Sequence, residues 1–319
     1  MTGMGLQPDV QMVTSRIESI LDMYVAELRS ENLTTIALVG SFVDAGHKAE
    51  MNNDLDILTV FKDLEEASSV PTLSTKDFES IVHLNAAIHD KYSDVNINVS
   101  SCFRGGPFKP APIKNVNIEV HNLIFTPTRW RSEEPTILFD RSRRNRVLWG
   151  SDPTQYRRID NITIDQVLSN HFGIHHCADM IRKSVIWYEE WKRINPETMV
   201  IESYQEPVNI NNAKGSARPI AMNTYIELIC YSIIKCSINL KRAVLKTIDP
   251  YAKEIDDTVD FIDSFYASDM LVRILDLKKH VRMNTLDYSS LDIASLKDDA
   301  LGYLARLESY CDGTAASGS

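Results

Sequence analysis

The sequence predicts an α+β fold with two regions: a small mixed sheet with flanking helices over residues 9–150, then an all-α helical bundle over residues 151–312. Two observations lead to this prediction. In the first region, short runs of β-branched and aliphatic residues alternate with segments of helical periodicity, whereas apolar residues recur at helical spacing through most of the second. The segment 313–319, GTAASGS, is small and polar and is predicted to be a disordered tail.

The first region is predicted to contain a helix, a strand, a turn with a short helix (SFVDAGHKAE, 41–50), a second strand, a further helix and two more strands, in that order. Apolar residues fall at helical spacing over 9–28, and TTIALVG and LDILTVF have the pattern of buried strands. KDFESIVHLNAAIHDKY returns to helical spacing, and VNINVSS and NVNIEVHNLIF have strand patterns. The segment between these last two, FRGGPFKPAPIK, is predicted to be a loop because of its Gly and Pro content.

The second region follows a predicted connecting segment, ILFDRSRRNRVLWGSDP (137–153). A long amphipathic stretch, DQVLSNHFGIHHCADMIRKSVIWYEEWKRI, predicts helix, and the proline-containing stretch after it predicts an irregular connection. TYIELICYSIIKCSINLKRAVL, DDTVDFIDSFYASDMLVRILDLKKHVR and ASLKDDALGYLARLESYC predict the remaining helices.

The composition indicates a soluble cytoplasmic protein. The formal net charge of −10 disfavours bulk nucleic-acid binding, without excluding a local basic patch, and favours a cationic or metal-bridged ligand. The five cysteines form no CxxC pair, so they predict free thiols in a reducing compartment. The N-terminus lacks a signal-peptide pattern, and no uncharged apolar run approaches the roughly 18 residues of a membrane span.

Asp54 and Asp56 interrupt a strand that is otherwise apolar. Because they stand at i and i+2, their side chains point to the same face, with Cα atoms about 6–7 Å apart. Two carboxylates this close repel each other unless a cation binds them. Mg²⁺ is the expected ion, because one or two carboxylates together with substrate phosphates hold it. The pair therefore predicts a site for one or two divalent cations.

Gly40 and Ser41 end the preceding strand and begin the next segment. A glycine followed by the start of a short helix lets phosphate oxygens approach the backbone closely and offers N–H donors to them. A phosphate cradle followed by two metal-binding acids is suited to a nucleoside triphosphate.

These residues resemble the signature of the DNA polymerase β-like nucleotidyltransferase superfamily. The chain has Val39-Gly40-Ser41, then twelve residues (42–53), then Asp54-Leu55-Asp56-Ile57, as that signature requires. The stretch GSFVDAGHKAEMNNDLDILTV is especially similar to the streptomycin/spectinomycin adenylyltransferases, which also pair a catalytic domain with a C-terminal helical domain. The motif resemblance covers about residues 36 to 125.

The resemblance implies roles for these residues. Asp54 and Asp56 would coordinate Mg²⁺ bound to the triphosphate, with Mn²⁺ as a substitute, and Ser41 would hold a β- or γ-phosphate oxygen. The family's third acid, on a later strand, is best matched by Glu119, the one acid in either later strand. Asp56 and Glu119 would share a second ion near the acceptor hydroxyl, where Glu119 would act as ligand or as general base. ATP as the donor follows from family frequency.

A polar stripe runs along one face of the helix predicted from TYIELICYSIIKCSINLKRAVL. Ser232, Lys235, Asn239 and Arg242 follow one another at spacings of 3, 4 and 3. One interpretation is an ordinary solvated face. The other is that the stripe lines an interdomain cleft, where Lys235 and Arg242 would bind the triphosphate, as cations of the helical domain do in related transferases.

Three other groups of polar residues are considered as functional sites. His121 shares a strand face with Glu119 and is a candidate for the acceptor site. RSRRNR (141–146) is either solvated surface or a contact for RNA or phosphate. His175 and His176 point to different helix faces, so they are not expected to share a metal.

The leading hypothesis is a Mg²⁺-dependent transfer of AMP from ATP to a hydroxyl of a small molecule, an aminoglycoside-like compound being one option because the protein is acidic. A second hypothesis is a toxin–antitoxin or defence-type nucleotidyltransferase that modifies RNA or protein. A third is a catalytically silent nucleotide-binding interaction protein.

Overall fold

The computed structural model describes residues 10–43, 53–65, 69–93, 97–100, 118–267, 269–282 and 285–317. Its helices are α1 (Val10–Glu27), α2 (Thr75–Lys91), α3 (Pro127–Ser132), α4 (Pro135–Arg143), α5 (Ile164–Ser169), α6 (Ile174–Lys183), α7 (Ala217–Leu245), α8 (Tyr251–Asp263), α9 (Asp269–Arg282) and α10 (Ile293–Ser317). Its strands are β1 (Leu33–Val39), β2 (Asn53–Phe61), β3 (Thr72–Ser74), β4 (Ile97–Ser100), β5 (Ile118–Phe125), β6 (Asn145–Gly150), β7 (Val185–Arg193) and β8 (Thr198–Pro207). The mixed α+β class is confirmed.

The larger sheet of the described strands has the order β4-β5-β2-β1-β6. β5 runs parallel to both β2 and β4, whereas β1 pairs antiparallel with β2 and with β6. The sheet is therefore small and mixed, as predicted for this region. The FRGGPFKPAPIK loop prediction falls on residues outside the described part of the chain.

The two faces of this sheet are covered differently, because successive strand residues point to opposite sides. On one face, Leu55 and Ile57 pack in a core with residues of α1 and α2. On the other face, Leu58 and Val60 pack against Trp130 and neighbouring side chains of α3 and α4. This second core occupies the C-terminal half of β2, and the acid-bearing N-terminal half lies beside it on the same face.

The connecting segment predicted for 137–153 was wrong. It forms most of α4 and all of β6, and β6 pairs along β1 from Asn145 opposite Val39 to Gly150 opposite Thr35. The chain meets β1 closely at its end: Gly150 has φ +81°, and a Cβ there would lie 2.0 Å from the carbonyl oxygen of Thr34. The strand was missed because the arginines of RSRRNR leave only a short apolar run in β6.

The prediction of helix and irregular connection over residues 185–207 was also wrong, since this stretch is the β7–β8 hairpin. Ser184, with φ 55°, ends α6 in the left-handed conformation. The residues that follow, VIWY, are β-branched and aromatic and favour a strand. β8 also pairs with β3, so strand pairing crosses the boundary predicted at residue 150.

The helices beyond the hairpin pack around α7, which is buried along most of its length. Their shared core also takes in Phe139 of α4 and Ile186 of β7. α10 continues to Ser317, so helix replaces most of the disordered tail predicted from residue 313.

We expect Gly150→Ala to lower the free energy of unfolding by roughly 1–3 kcal/mol, because alanine is strained at positive φ and its Cβ would clash with the Thr34 carbonyl. Urea unfolding followed by tryptophan fluorescence would measure this. Gly302→Ala is the matched control: it lies in α10 with open space around it and should raise stability by about 0.5–1 kcal/mol. Equal effects of the two substitutions would contradict this account.

Candidate active site

The parallel pairing of β2 with β5 brings the predicted acids to one edge of the sheet. In this register Asp54 lies opposite Glu119, and Asp56 lies opposite His121. Paired strands run about 4.7–4.9 Å apart, and residues two apart share a face, so Asp56, Glu119 and His121 project from neighbouring positions. The backbone of Asp54 belongs to β2, but its side chain lies outside the described residues.

Gly40 places the end of β1 directly against the carboxylate of Asp56. Val39 pairs with Asp56, and Gly40 then turns the chain with φ +78°. A Cβ on Gly40 would stand 2.9 Å from Asp56 Oδ2, closer than Cβ atoms in proteins are found. Glycine therefore keeps this space open and adopts the turn without strain.

Ser41 begins a short 3-10 turn, Ser41–Val43, immediately after Gly40. The amide of Val43 donates a hydrogen bond to the carbonyl of Gly40 (3.3 Å). The phosphate-cradle prediction for Gly40 and Ser41 thus falls at the same edge as Asp56. Residues 44–52, which were predicted to continue as turn and helix, lie outside the described part of the chain.

His121 stands between the two described carboxylates. Its Nδ1 lies 3.1 Å from Asp56 Oδ1, and its Nε2 lies 3.0 Å from Glu119 Oε1. The imidazole is the most enclosed of the three, with 14% of its side chain exposed, against 29% for Asp56 and 35% for Glu119. The carboxylates therefore keep an open side, as a site that meets a ligand requires.

The donors at this edge fit a divalent cation by their chemistry. Asp56 and Glu119 offer carboxylate oxygens, the ligands that Mg²⁺ prefers, and Gly40 leaves the side of Asp56 Oδ2 free of a side chain. Among the described side chains, no group of three or more His, Cys, Asp and Glu is arranged to hold an ion. A complete ligand set would therefore need Asp54, the substrate phosphates or both.

A buried network of ion pairs surrounds Arg242 on α7. Arg242 is 2% exposed and contacts Asp140 of α4 at 2.8 Å and Glu254 of α8 at 2.7 Å. Arg144, at 4% exposure, contacts the same two carboxylates at 3.3 and 2.7 Å. Lys241, with no exposed side-chain area, pairs with Asp249 at 2.6 Å. In the polar stripe of the sequence, Ser232, Asn239 and Arg242 are buried and Lys235 is half-buried, so its interpretation as a solvated face was wrong.

The charges in this network do not balance once Lys235 is added. Arg144, Arg242, Lys241 and Lys235 give four positive charges, against three from Asp140, Glu254 and Asp249. The ammonium of Lys235 lies 5.8 Å above the ring of Tyr231, and no described carboxylate forms a salt bridge with it.

Burial lowers the pKa of Lys235, and Arg242 and Arg144 act in the same direction, against the opposing pull of Asp140 and Glu254. Burial acts to raise the pKa of Asp140, but Arg242, Lys235 and Arg144 outweigh it and hold that pKa below its ordinary value. The half-buried ammonium of Lys235 is therefore the group in this network whose charged form would be stabilised most by an added anion.

The network lies beside the same edge of the sheet as the acids. Arg144 directly precedes Asn145, which pairs with Val39, and Val39 pairs in turn with Asp56. Two strand spacings, roughly 10 Å, separate the backbone at the start of β6 from that of Asp56. Through Arg144 the network therefore adjoins the start of β6, two strands from Asp56, whereas the contacts of Arg242 are with protein carboxylates.

The other polar clusters have structural partners. In RSRRNR, Arg141 pairs with Glu133 at 2.6 Å, and Arg144 belongs to the buried network, whereas Arg143 and Arg146 are exposed. His175 contacts Glu308, whereas His176 stacks on His171 with ring centroids 4.2 Å apart. These separate contacts agree with the prediction that His175 and His176 point to different faces of the helix.

No family model matches this chain, and no curated protein sequence matches it. Among solved structures, it is similar to a crystal structure of spectinomycin adenyltransferase AAD(9) from Enterococcus faecialis with ATP and spectinomycin. The two are 13% identical, the match covers 93% of this chain and 100% of that one, and the TM-score is 0.44. At this level of similarity, the activity of this chain has to be argued from its own residues.

None of the helices in the described residues has both the length and the apolar character to cross a membrane.

We expect the pH dependence of stability to depend on His176. Burial lowers the pKa of His176 to about 4, and the neighbouring His171 adds to this effect. The unfolded chain, with a pKa near 6.5, therefore binds a proton between about pH 6.5 and 4 that the folded chain does not. The free energy of unfolding should fall through this window as the pH is lowered, by on the order of 1 kcal/mol for a half-exposed group.

Urea unfolding at a series of pH values would test this with two adjacent substitutions. His176→Gln should flatten the decrease, whereas His175→Gln, at an exposed position on the same helix, should leave it as in the wild type. The same slope in all three proteins would contradict the assignment.

Proposed function

We propose that this protein is a metal-dependent nucleotidyltransferase that transfers AMP from ATP to a hydroxyl group of a small-molecule acceptor and releases pyrophosphate. The observation that carries the proposal is the placement of Gly40, Asp56 and Glu119 at one sheet edge. Gly40 lies open against Asp56 Oδ2, and Glu119 stands one residue pair away on the neighbouring strand. These are the phosphate-approach and metal-ligand positions that the sequence motif predicts.

In this proposal the acids and the glycine bind the nucleotide in a fixed orientation. Asp54 and Asp56 would hold a Mg²⁺ or Mn²⁺ ion carried by the triphosphate, and Asp56 and Glu119 would hold a second. Bound there, the ions supply neutralisation of phosphate charge and polarisation of the acceptor hydroxyl. The backbone at Gly40 and Ser41 would receive the β- or γ-phosphate, because Gly40 has no side chain to block the approach.

The transfer itself would be a displacement at the α-phosphorus. A bond forms between the acceptor oxygen and the α-phosphorus, and the bond from that phosphorus to the pyrophosphate oxygen breaks. The proton of the hydroxyl passes to Glu119 or to solvent. Catalysis would come mainly from positioning and charge stabilisation, because the acids are carried by paired strands and need little rearrangement.

Lys235 would provide the counter-charge for the departing pyrophosphate. Its network carries one more cation than acid among the residues that form it, and Lys235 has no salt bridge to a described carboxylate. Arg242 would act through this network, because its guanidinium is fixed between Asp140 and Glu254. Its contribution to the nucleotide site would then be to hold the excess charge in place.

The acceptor is proposed to be a small molecule, with an aminoglycoside-like polycation as one option, in keeping with the net charge of −10. A nucleic-acid acceptor rested on RSRRNR, and the ion pairs of Arg141 and Arg144 weaken that support.

We expect acceptor-dependent pyrophosphate release from ATP with Mg²⁺ or Mn²⁺ across a panel of hydroxylated small molecules, RNA and proteins. Asp56→Asn should reduce it by at least about 10²-fold, because an ion ligand and its charge are lost. Asp90→Asn, on α2 with 86% of its side chain exposed, is the matched control and should retain full activity. Nucleotide binding without turnover on any acceptor class would favour a catalytically silent binding protein.

We also expect Lys235→Met to raise the Kd for ATP by roughly 10–100-fold, the range for losing one hydrogen bond to a charged group. Thermal stability should not fall, because the substitution removes a desolvated charge. Calorimetric titration with ATP and a melting curve would measure both quantities. Lys183→Ala, which removes an exposed lysine of α6, should change neither, and an unchanged Kd in Lys235→Met would contradict the proposed role.

A further inference from the structure

His121 is joined to the proposed metal site by two contacts that the proposed function does not use. Its Nδ1 lies 3.1 Å from Asp56 Oδ1, and its Nε2 lies 3.0 Å from Glu119 Oε1. Its ring is mostly enclosed, and its backbone is fixed by pairing with β2 opposite Asp56. These two contacts indicate a role for His121 at the metal site itself, and not only at the acceptor site.

We propose that His121 Nε2 is a nitrogen ligand of the ion held by Glu119, and that it gives the site a preference for a transition metal such as Mn²⁺ over Mg²⁺. The assignment rests on the proposed function insofar as that function requires a metal at this edge.

The first argument is the direction of the two ring nitrogens. In a neutral imidazole one nitrogen is a donor and the other an acceptor. His121 Nδ1 lies within hydrogen-bond distance of Asp56 Oδ1; in the tautomer that carries the proton on Nδ1 and donates it there, Nε2 presents its lone pair on the side of Glu119. Histidines that ligate metals usually donate their second N–H to a carboxylate in this manner, which fixes the tautomer and the ring orientation.

The second argument is the distance between Nε2 and Glu119 Oε1. Adjacent ligands of an octahedral ion, each about 2.1 Å from the metal, stand about 3 Å from each other. The observed separation of 3.0 Å therefore matches one edge of such a coordination shell. An oxygen from Glu119 and a nitrogen from His121 would form that edge, and substrate oxygens or water would supply other positions.

The third argument is the chemistry of the donors. Imidazole nitrogen is a good ligand for first-row transition metals, whereas Mg²⁺ favours a shell of oxygens. A set of carboxylates with one imidazole therefore shifts the balance toward transition metals. With carboxylate ligands alone, the relative affinities for Mn²⁺ and Mg²⁺ would reflect only the general order of metal affinities.

The test uses the full-length protein and metal ions alone, without nucleotide or acceptor. Titration with Mn²⁺ followed by electron paramagnetic resonance gives its Kd, and pulsed measurements detect a coordinated ¹⁴N nucleus. Calorimetric titration gives the Kd for Mg²⁺. The wild type should show ¹⁴N coupling. In His121→Ala this coupling should vanish and the Kd for Mn²⁺ should rise by roughly 10–100-fold, with a much smaller change for Mg²⁺.

Two further variants separate ligation from orientation. His121→Asn keeps an N–H donor near the position of Nδ1, toward Asp56, and His121→Gln keeps a polar group near the position of Nε2. Both should lose ¹⁴N coupling and Mn²⁺ affinity, whereas His83→Ala, at an exposed position on α2, should behave as the wild type. Melting curves would establish that each variant is folded.

His121→Asn lacks Nε2 but keeps a donor toward Asp56. If this variant retained its Mn²⁺ affinity, the assignment would be overturned, because the role of His121 would then be to orient Asp56. Tighter Mn²⁺ binding in His121→Ala would overturn it as well, since the ring would then block the site. Nitrogen coupling in a protein that transfers nucleotide to no acceptor would sustain the assignment and count against the proposed function instead.

Discussion

The candidate site depends on strand pairing that places several acidic residues on one face of the larger sheet. Parallel pairing of β2 with β5 fixes Asp56 beside His121 and Asp54 opposite Glu119. Antiparallel pairing of β1 with β2 then brings Gly40 against Asp56. Carboxylates gathered in this way repel each other, so the arrangement is stable only where cationic or hydrogen-bonding groups meet them. In this structure His121 lies between Asp56 and Glu119 and contacts both, and Asp56 is the partner to which its Nδ1 would donate.

The helical part of the chain presents the opposite imbalance. Around α7, three cations form ion pairs with three carboxylates, and a fourth cation, Lys235, has no salt bridge to a described carboxylate. Removing one partner from a buried pair leaves an uncompensated charge at a cost of about 3–5 kcal/mol, so these groups hold one another in position. Under the proposed function, a metal-bound triphosphate would bring a cation to the acid edge and phosphate charge to the cationic network, so one ligand would offset both imbalances.

The sequence was sufficient for those features that depend on local pattern. The strand that precedes Gly40 and the strands that carry Asp56 and Glu119 lie where their runs of apolar and β-branched residues predict them, because buried strands in a small sheet select such residues. The choice of Glu119 as a third acid came from the family resemblance, not from a local pattern. Features that depend on tertiary partners were missed. β6 is a strand because it pairs with β1. Arg242 can be buried because it forms ion pairs with Asp140 and Glu254, which lie on other helices.

The path of the β7–β8 hairpin has a consequence for how this protein can be divided. Trp191 and Met199, which come from the hairpin, are 3% and 5% exposed within the core that α1 and α2 form against the sheet. β8 also supplies the partner strand of β3. A chain cut near residue 150 would leave that core open on one side and β3 without its neighbour. The same hairpin also contributes Ile186 to the core around α7. A cut after residue 207 would open that second core, so the hairpin joins the two halves and neither half can be exchanged without disrupting a core.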